Sequence, residues 1–181
     1  MLRWETPRLV LRTFEEKDAP ALLALFHRPQ VHCFREERLE DFGEALAGVR
    51  RKSREREGTQ LAVCLKESDG MIGNVFSRQE GPDTWSVGWA FDRRFQGRGY
   101  AGEAARAYVD FLFSCKGARR IFAYVEEDNL PSRRLCERLG MRQEARFEEF
   151  ISFVKDEQGR PVYENTLVYA VLKKEWKAAS S

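Results

Sequence analysis

Gln96-Gly97-Arg98-Gly99-Tyr100-Ala101 joins an extended apolar run, Val87 to Phe91, to a segment rich in small residues, and few folds accommodate such a junction. Two glycines bracket a cation. Glycine takes backbone angles closed to other residues and lets a ligand approach the main chain, and free N–H groups at a helix start offer an anion both donors and dipole charge. Arg93, Arg94 and Arg98 add positive charge at the same place. The stretch predicts a phosphate-wrapping loop between a strand and a helix.

Gly97-x-Gly99-x-x-Gly102 also satisfies the dinucleotide pattern GxGxxG, and Glu126 or Glu127, closing the next apolar run, stands where a ribose-binding acid would. In such a unit the first glycine follows directly on the strand, whereas Asp92-Arg93-Arg94-Phe95-Gln96 intervenes here. Too little chain follows Glu127 to complete a doubly wound sheet. An NAD-dependent oxidoreductase is therefore a distant third reading.

Along the chain, Leu9 to Leu11 reads as a short strand, and Asp18 is placed to cap a helix with Pro20 near its start and Leu22, Leu23 and Phe26 inside, stopped by Pro29. Leu39, Phe42, Ala45, Leu46 and Val49, at steps of three and four, predict a second helix continued by Arg50 to Glu57 and ended by Gly58. Gln60 to Lys66, Met71 to Arg78 and Thr84 to Phe91, separated by Ser68-Asp69-Gly70 and Gly81-Pro82-Asp83, form an antiparallel meander. After the glycine loop, Ala101, Ala104, Ala105, Tyr108, Val109, Leu112 and Phe113 mark a helix whose small face suits close packing on a sheet, ended by Gly117. Ile121 to Val125 follows as a buried strand and Pro131 to Leu139 as a helix closed by Gly140. Phe147 to Lys155 and Val162 to Leu172 make a hairpin across Asp156-Glu157-Gln158-Gly159-Arg160.

The 181 residues, 43% of them hydrophobic, suit one domain with a core of its own. A net charge of +2, from 31 cations against 29 anions, sets up no general field for nucleic acid or membrane. The mixed-charge run Arg50-Arg51-Lys52-Ser53-Arg54-Glu55-Arg56-Glu57 reads as a solvated helix face rather than an RNA-binding patch. No stretch approaches the ~20 apolar residues of a membrane span, and Met1-Leu2-Arg3-Trp4-Glu5 carries no signal-peptide core, so a cytoplasmic location is expected. Cys33, Cys64, Cys115 and Cys136 are widely spaced, which predicts free thiols. His27 and His32, the only histidines, read as loop side chains, and no metal site is expected.

Three signatures occur in order: Thr6-Pro7-Arg8-Leu9-Val10-Leu11-Arg12, then Gln96-x-x-Gly99-x-Ala101, then Asn129-Leu130-Pro131-Ser132 with Leu135 and Glu137-Arg138-Leu139-Gly140-Met141. In this combination the chain resembles the GCN5-related N-acetyltransferase (GNAT) superfamily, and particularly its branch that acetylates alanine or serine N-termini of ribosomal proteins. The resemblance covers nearly the whole chain. It implies a single α/β (α+β) domain over residues 1–177, with a frayed tail at 178–181. Its core would be a mixed, mostly antiparallel central sheet of about seven strands flanked by helices, in the order β-α-α-β-β-β-α-β-α-β-β.

The resemblance also implies a chemistry: direct transfer of an acetyl group from acetyl-CoA to a primary amine, either a protein N-terminal amine or a small molecule, without a metal. The pyrophosphate would sit on N–H groups between Arg94 and Ala101, drawing on Arg94, Gln96, Gly97, Arg98, Gly99, Tyr100 and Ala101. The pantetheine arm would pair with the strand Val87 to Phe91 and bond Asn129, and a backbone N–H among Trp89, Ala90 and Phe91 would polarise the thioester carbonyl. Ser132 inherits the role of proton donor to the departing thiolate, since Cys136 occupies the place where many members carry a tyrosine. An amine of pKa near 10 must lose a proton at a cost of about 4 kcal/mol at pH 7. Glu126, Glu127, Asp128, Glu148 and Glu149 are candidate bases, with Glu126 taken first. The principal rival is a non-catalytic acyl-CoA-binding regulatory protein; monomer and homodimer both remain open.

Overall fold

A computed structural model describes residues 2–29, 31–55 and 57–179. The strands are β1 (Arg3–Glu5), β2 (Leu9–Arg12), β3 (Gln60–Leu65), β4 (Met71–Gln79), β5 (Thr84–Phe91), β6 (Arg120–Glu126), β7 (Arg142–Lys155) and β8 (Pro161–Leu172). The α-helices are α1 (Ala19–Phe26), α2 (Phe42–Arg54), α3 (Tyr100–Cys115), α4 (Leu130–Arg138) and α5 (Lys173–Ala179). The strands form a single eight-stranded sheet in the order β1-β2-β3-β4-β5-β6-β8-β7, antiparallel except for the β5–β6 pair. The expected order of elements is present, with one strand and one helix added at the ends.

The sheet of about seven strands that was expected has eight. β1 has only three residues, too few to show a period, and is held from outside its own sequence: it pairs with β2, and Trp4 stacks on Phe111 of α3 at 4.8 Å between ring centroids. At the other end, helix α5 runs through Ala179, so two residues of the expected tail are helical in backbone, while Ser180 and Ser181 lie outside the described residues.

Alternation along the strands divides the core in two. Leu9, Leu11, Leu61, Val63, Trp85 and Val87 point to one face, where Ala104, Ala105, Tyr108 and Leu112 of α3 and Leu135 of α4 cover them. Val10, Ala62, Cys64 and Ala90 point to the other, under Leu22 and Phe26 of α1 and Ala45 and Val49 of α2. Ala104 and Ala105 are essentially inaccessible, so the small-residue face of α3 brings that helix close to the sheet. Among the described residues no helix is long and apolar enough to cross a membrane.

Two local readings are corrected. Asp18 precedes α1 but makes no side-chain cap; its carboxylate is buried in a two-pronged pair with Arg12, Nη1 to Oδ2 at 2.7 Å and Nη2 to Oδ1 at 2.8 Å. A bidentate pair with a guanidinium out of water outcompetes a carboxylate cap on backbone N–H groups. The second helix starts at Phe42 rather than Leu39 because Asp41 accepts from Glu44 N at 2.9 Å and caps it. On its basic stretch, Arg50 is exposed and pairs with Glu16, but Lys52 is buried, its ammonium 3.4 Å from Glu37 and 5.9 Å from the centre of the Phe26 ring. Arg56 of that stretch lies outside the described residues.

Candidate active site

β5 and β6 pair only from Thr84 to Ser86, opposite Arg120 to Phe122, and part beyond that point. Val87 to Phe91 keep β4 on one edge and lose a strand partner on the other. The wedge opens into a cleft of about 1670 Å³ whose wall includes Trp89, Gly97, Gly99, Glu126, Asn129 and Ser132. An unpaired strand edge inside a cleft is a template for an extended ligand.

The loop between β5 and α3 borders the same cleft. Arg94 N donates to Asp92 Oδ1 at 2.9 Å, Phe95 N to Asp92 O at 3.0 Å and Gln96 N to Arg93 O at 3.1 Å. The next six amides, Gly97 to Gly102, find no acceptor among the described residues, until Glu103 N closes the first helical turn on Gly99 O at 3.1 Å. Gly97 and Gly99 make this possible at φ +75° and +80°, left-handed angles at which Gly99 serves as the N-cap of α3. The third glycine is different. A Cβ on Gly102 would meet Leu135 at 3.9 Å, an ordinary contact, so the close helix–strand packing of a dinucleotide fold is absent. With a single parallel strand pair in the sheet, the NAD reading falls.

On the α4 side of the wedge, Asn129 Oδ1 accepts from Ser132 N at 3.2 Å and caps α4, placing Ser132 in the first turn. Trp89 reaches across from β5 and donates its Nε1–H to Ser132 Oγ at 3.3 Å. Indole nitrogen only donates, so the serine accepts there and keeps its own hydrogen to give away.

The opposite side of the sheet carries a second constellation. Ile121, Ala123 and Val125 of β6 face the α3 core, so Glu126 projects with Phe122 to the other side. Glu126 is only 8% exposed, and its Oε1 accepts from Cys33 N at 2.7 Å, in the 3₁₀ segment His32–Glu37 that follows α1. His32 Nδ1 lies 2.5 Å from Glu164 Oε1 of β8, and one donor atom from each of His32, Glu126 and Glu164 falls within 4.8 Å of the others.

The acetyltransferase (GNAT) domain family matches residues 8–142, the span that contributes the parted strand edge and the loop of unpaired amides. The chain belongs to the GNAT acetyltransferase family. It is 32% identical over 172 residues to the uncharacterized N-acetyltransferase YnaD of Bacillus subtilis, covering 94% of this chain and 97% of that one. A GNAT-family acetyltransferase structure from Bacillus anthracis superposes with a TM-score of 0.84 at 25% identity, over 96% of this chain and 100% of its own. A ribosomal-protein alanine acetyltransferase from Vibrio fischeri shares the fold at TM-score 0.73 and 17% identity, over 97% of this chain and 99% of that one. Like its relatives of that name, this GNAT protein is an N-acetyltransferase.

Within this GNAT domain the fold sorts the candidate residues. Arg94 N, Phe95 N and Gln96 N are occupied, so the free amides begin at Gly97 and extend one residue beyond Ala101. Arg94 also folds its guanidinium onto Asp92, whose carboxyl that contact holds below its usual range. Glu127 is turned out of the cleft: the Arg146 guanidinium, then Asn165, bring its pKa down to about 2, too low for a base. Glu148 pairs with Arg146 on the surface, and Glu149 marks a bulge at φ +44° on β7; neither lines the cleft, whereas Glu126 and Asp128 do. Cys136 is fully buried against the α3 core, and burial pushes its thiol up to about 12. The sequence reading missed His32 and Glu164, which lie 132 positions apart and share no motif.

Proposed function

We propose that this protein moves an acetyl group from acetyl-CoA directly to a primary amine, either the N-terminal amine of a protein or a small-molecule amine. The observation that carries this reading is the run of six unpaired amides, residues 97–102, at the mouth of a cleft lined by an unpaired strand edge. The amides hold the pyrophosphate with help from Arg98 and the positive end of α3. The pantetheine arm extends along Val87 to Phe91 as an added strand, with Asn129 beside it. A backbone N–H among Trp89, Ala90 and Phe91 polarises the thioester carbonyl, a contribution on the order of 3 kcal/mol.

Ser132 then protonates the departing thiolate. Its hydrogen is free because Trp89 supplies a donor to its oxygen, and its place in the first turn of α4 favours developing negative charge. Glu126, on the other side of the sheet, draws in the protonated amine. A protein N-terminus as acceptor rests on the signature-level resemblance to the ribosomal-protein branch; the Vibrio fischeri neighbour carries only the fold.

Thermal unfolding with acetyl-CoA, CoA and NADH in parallel tests the donor half. A ligand at about 100 times its Kd adds roughly 2.7 kcal/mol, a rise of about 5 to 11 °C at this size. A rise with both CoA compounds and none with NADH is expected; none with either CoA compound sinks the reading. CoA thiol release over a panel of amines, including an alanine-terminated peptide and spermidine, tests the acceptor half. Binding without release on any amine would favour the non-catalytic acyl-CoA-binding alternative.

A further inference from the structure

We propose that His32, oriented by Glu164, is the base that takes the proton from the acceptor amine, with Glu126 beside it as the ammonium's docking charge. This rests on the acetyl-transfer reading and assigns its unfilled role. A carboxylate offers only acceptors, so the hydrogen in the 2.5 Å contact between His32 Nδ1 and Glu164 Oε1 sits on Nδ1. The neutral ring is then held as the tautomer whose Nε2 carries a free lone pair. His32 and Glu126 line the cleft; Glu164 does not, and touches His32 from β8.

The geometry separates the two proton transfers. Ser132 stands on the α4 side of the wedge, among residues packed with α3, and His32 and Glu126 stand on the α1 side. A nucleophile adds to a thioester carbonyl from one face of its plane, and the thiolate leaves from the tetrahedral intermediate, so direct transfer needs a base where the amine arrives and an acid beside the sulfur. As a side-chain type, imidazole titrates nearer neutrality than carboxylate, about 6.5 against 4.3, and suits general-base work at pH 7.

The cluster is held together by contacts within the protein: Glu126 Oε1 accepts from Cys33 N, and Glu164 Oε1 accepts from His32. Among the described residues, the titratable groups placed against His32 come from β8, β6 and its own segment. Glu164 comes from β8, Glu126 from β6 and Cys33 from its own segment, where Glu37 is engaged by Lys52 at 3.4 Å. Helix α1 has no ionisable side chain, and Ile151 to Val154, the part of β7 beside Glu164, has none either.

The amine arrives as an ammonium, and His32 Nε2 takes one proton, directly or through one water. The nitrogen lone pair attacks the carbonyl carbon; the C–N bond forms and the C–S bond breaks, leaving its electron pair on sulfur. The second N–H proton reaches that thiolate through Ser132, and the imidazolium returns its proton to water.

The test is the pH dependence of kcat/KM for the best amine of the panel, with wild type, His32→Gln, Glu164→Gln and the control His27→Gln, whose ring bonds Leu39 O outside the cleft. An acetyl-CoA thermal shift on each variant shows that fold and donor site survive. His32→Gln should lose on the order of 10²-fold in kcat/KM and the rising limb of the profile. His32→Ala should recover activity with added imidazole. Glu164→Gln should weaken the Nδ1–H tautomer preference in the His32 ring-nitrogen NMR signals, because a neutral amide oxygen holds that N–H less strongly than a carboxylate does, a readout that a merely structural role leaves unchanged. His27→Gln should match wild type. Turnover of His32→Gln at the wild-type rate and profile overturns the base while leaving the transferase standing. Acetyl-CoA binding with no turnover on any amine overturns both.

Discussion

Glu103 receives Arg8 twice, through the backbone N–H to Oε1 at 2.9 Å and through Nε to Oε2 at 2.7 Å. Thr6 adds its hydroxyl to Oε1 at 2.6 Å, so the opening Thr-x-Arg signature is clamped to the first turn of α3. Arg8 goes further, donating Nη1 to Arg98 O at 2.9 Å and covering the Tyr100 ring at 4.7 Å. The two signatures are one device: the first fixes the loop formed by the second. Arg8→Ala should therefore weaken acetyl-CoA rather than slow catalysis. Because Arg8 is half exposed, the loss is about 1 kcal/mol, or roughly fivefold in Kd by calorimetric titration.

The same clamp predicts an acid limit. Burial alone would raise the Glu103 carboxyl, but hydrogen bonds from Thr6 and from the Arg8 amide and guanidinium outweigh it and hold the pKa below the ordinary 4.5. A folded value below the unfolded one means the contribution is complete above about pH 4.5 and is lost as pH falls through the folded value. Acetyl-CoA affinity should decline below about pH 4.5, with a shallower decline in Glu103→Gln. An equally steep decline in that variant would assign the limit to other carboxylates.

Gly97 and Gly99 share a backbone conformation but not a neighbourhood. A Cβ on Gly97 would meet nothing within 4 Å, whereas one on Gly99 would stand 3.3 Å from Arg8 Nη2. Gly97→Ala should cost only the left-handed strain, roughly 1 to 2 kcal/mol, relieved if the loop relaxes without ligand. Gly99→Ala carries the same strain, crowds the clamp and disturbs the cap of α3. Measured as Tm and acetyl-CoA Kd together, Gly99→Ala should exceed Gly97→Ala on both, and equal effects would show that strain alone operates.

This pair also shows why the geometry of the loop proposed to hold the cofactor was legible in sequence. The demand for a left-handed angle is local, so Gly97 and Gly99 announce it without help from the rest of the chain. Asn129 and Ser132 are likewise a cap and its helix turn three residues apart. The acceptor side has no such locality: His32 meets Glu164 and Glu126 meets Cys33 only because β6, β8 and the segment after α1 converge on one face of the sheet. Asp18 misled for the same reason. Its neighbours favour a cap, while its partner Arg12 is placed by the β2 strand and by burial.

Ser132 and Cys136 lie one helical turn apart and should separate cleanly. Ser132→Ala removes the proposed proton donor to the thiolate and should lower kcat on the order of 10²-fold with little change in acetyl-CoA Kd. Because Asn129 caps through Ser132 N, a backbone group, the alanine variant keeps that bond. Cys136→Ala should leave kcat unchanged and lower Tm, since Cys136 is buried with its thiol held protonated. A kcat loss in Cys136→Ala with none in Ser132→Ala would reverse the assignment.

The buried pair Arg12–Asp18, 1% and 2% exposed, makes a stability prediction independent of the chemistry. Removing one partner strands a charge away from water, which typically costs about 3 to 5 kcal/mol. Arg12 retains Asp69 Oδ1 at 3.2 Å, so Asp18→Ala should fall at the lower end, and Arg12→Met, which also strands Asp18, at the upper end. Combining Arg12→Met with Asp18→Leu replaces the pair by apolar bulk and should recover most of the loss, because two desolvation costs disappear with the one attraction. Urea unfolding of the four proteins decides it. If the double variant is as unstable as the sum of the singles, the pair acts by holding β2 to the start of α1 in a geometry that apolar contacts cannot reproduce.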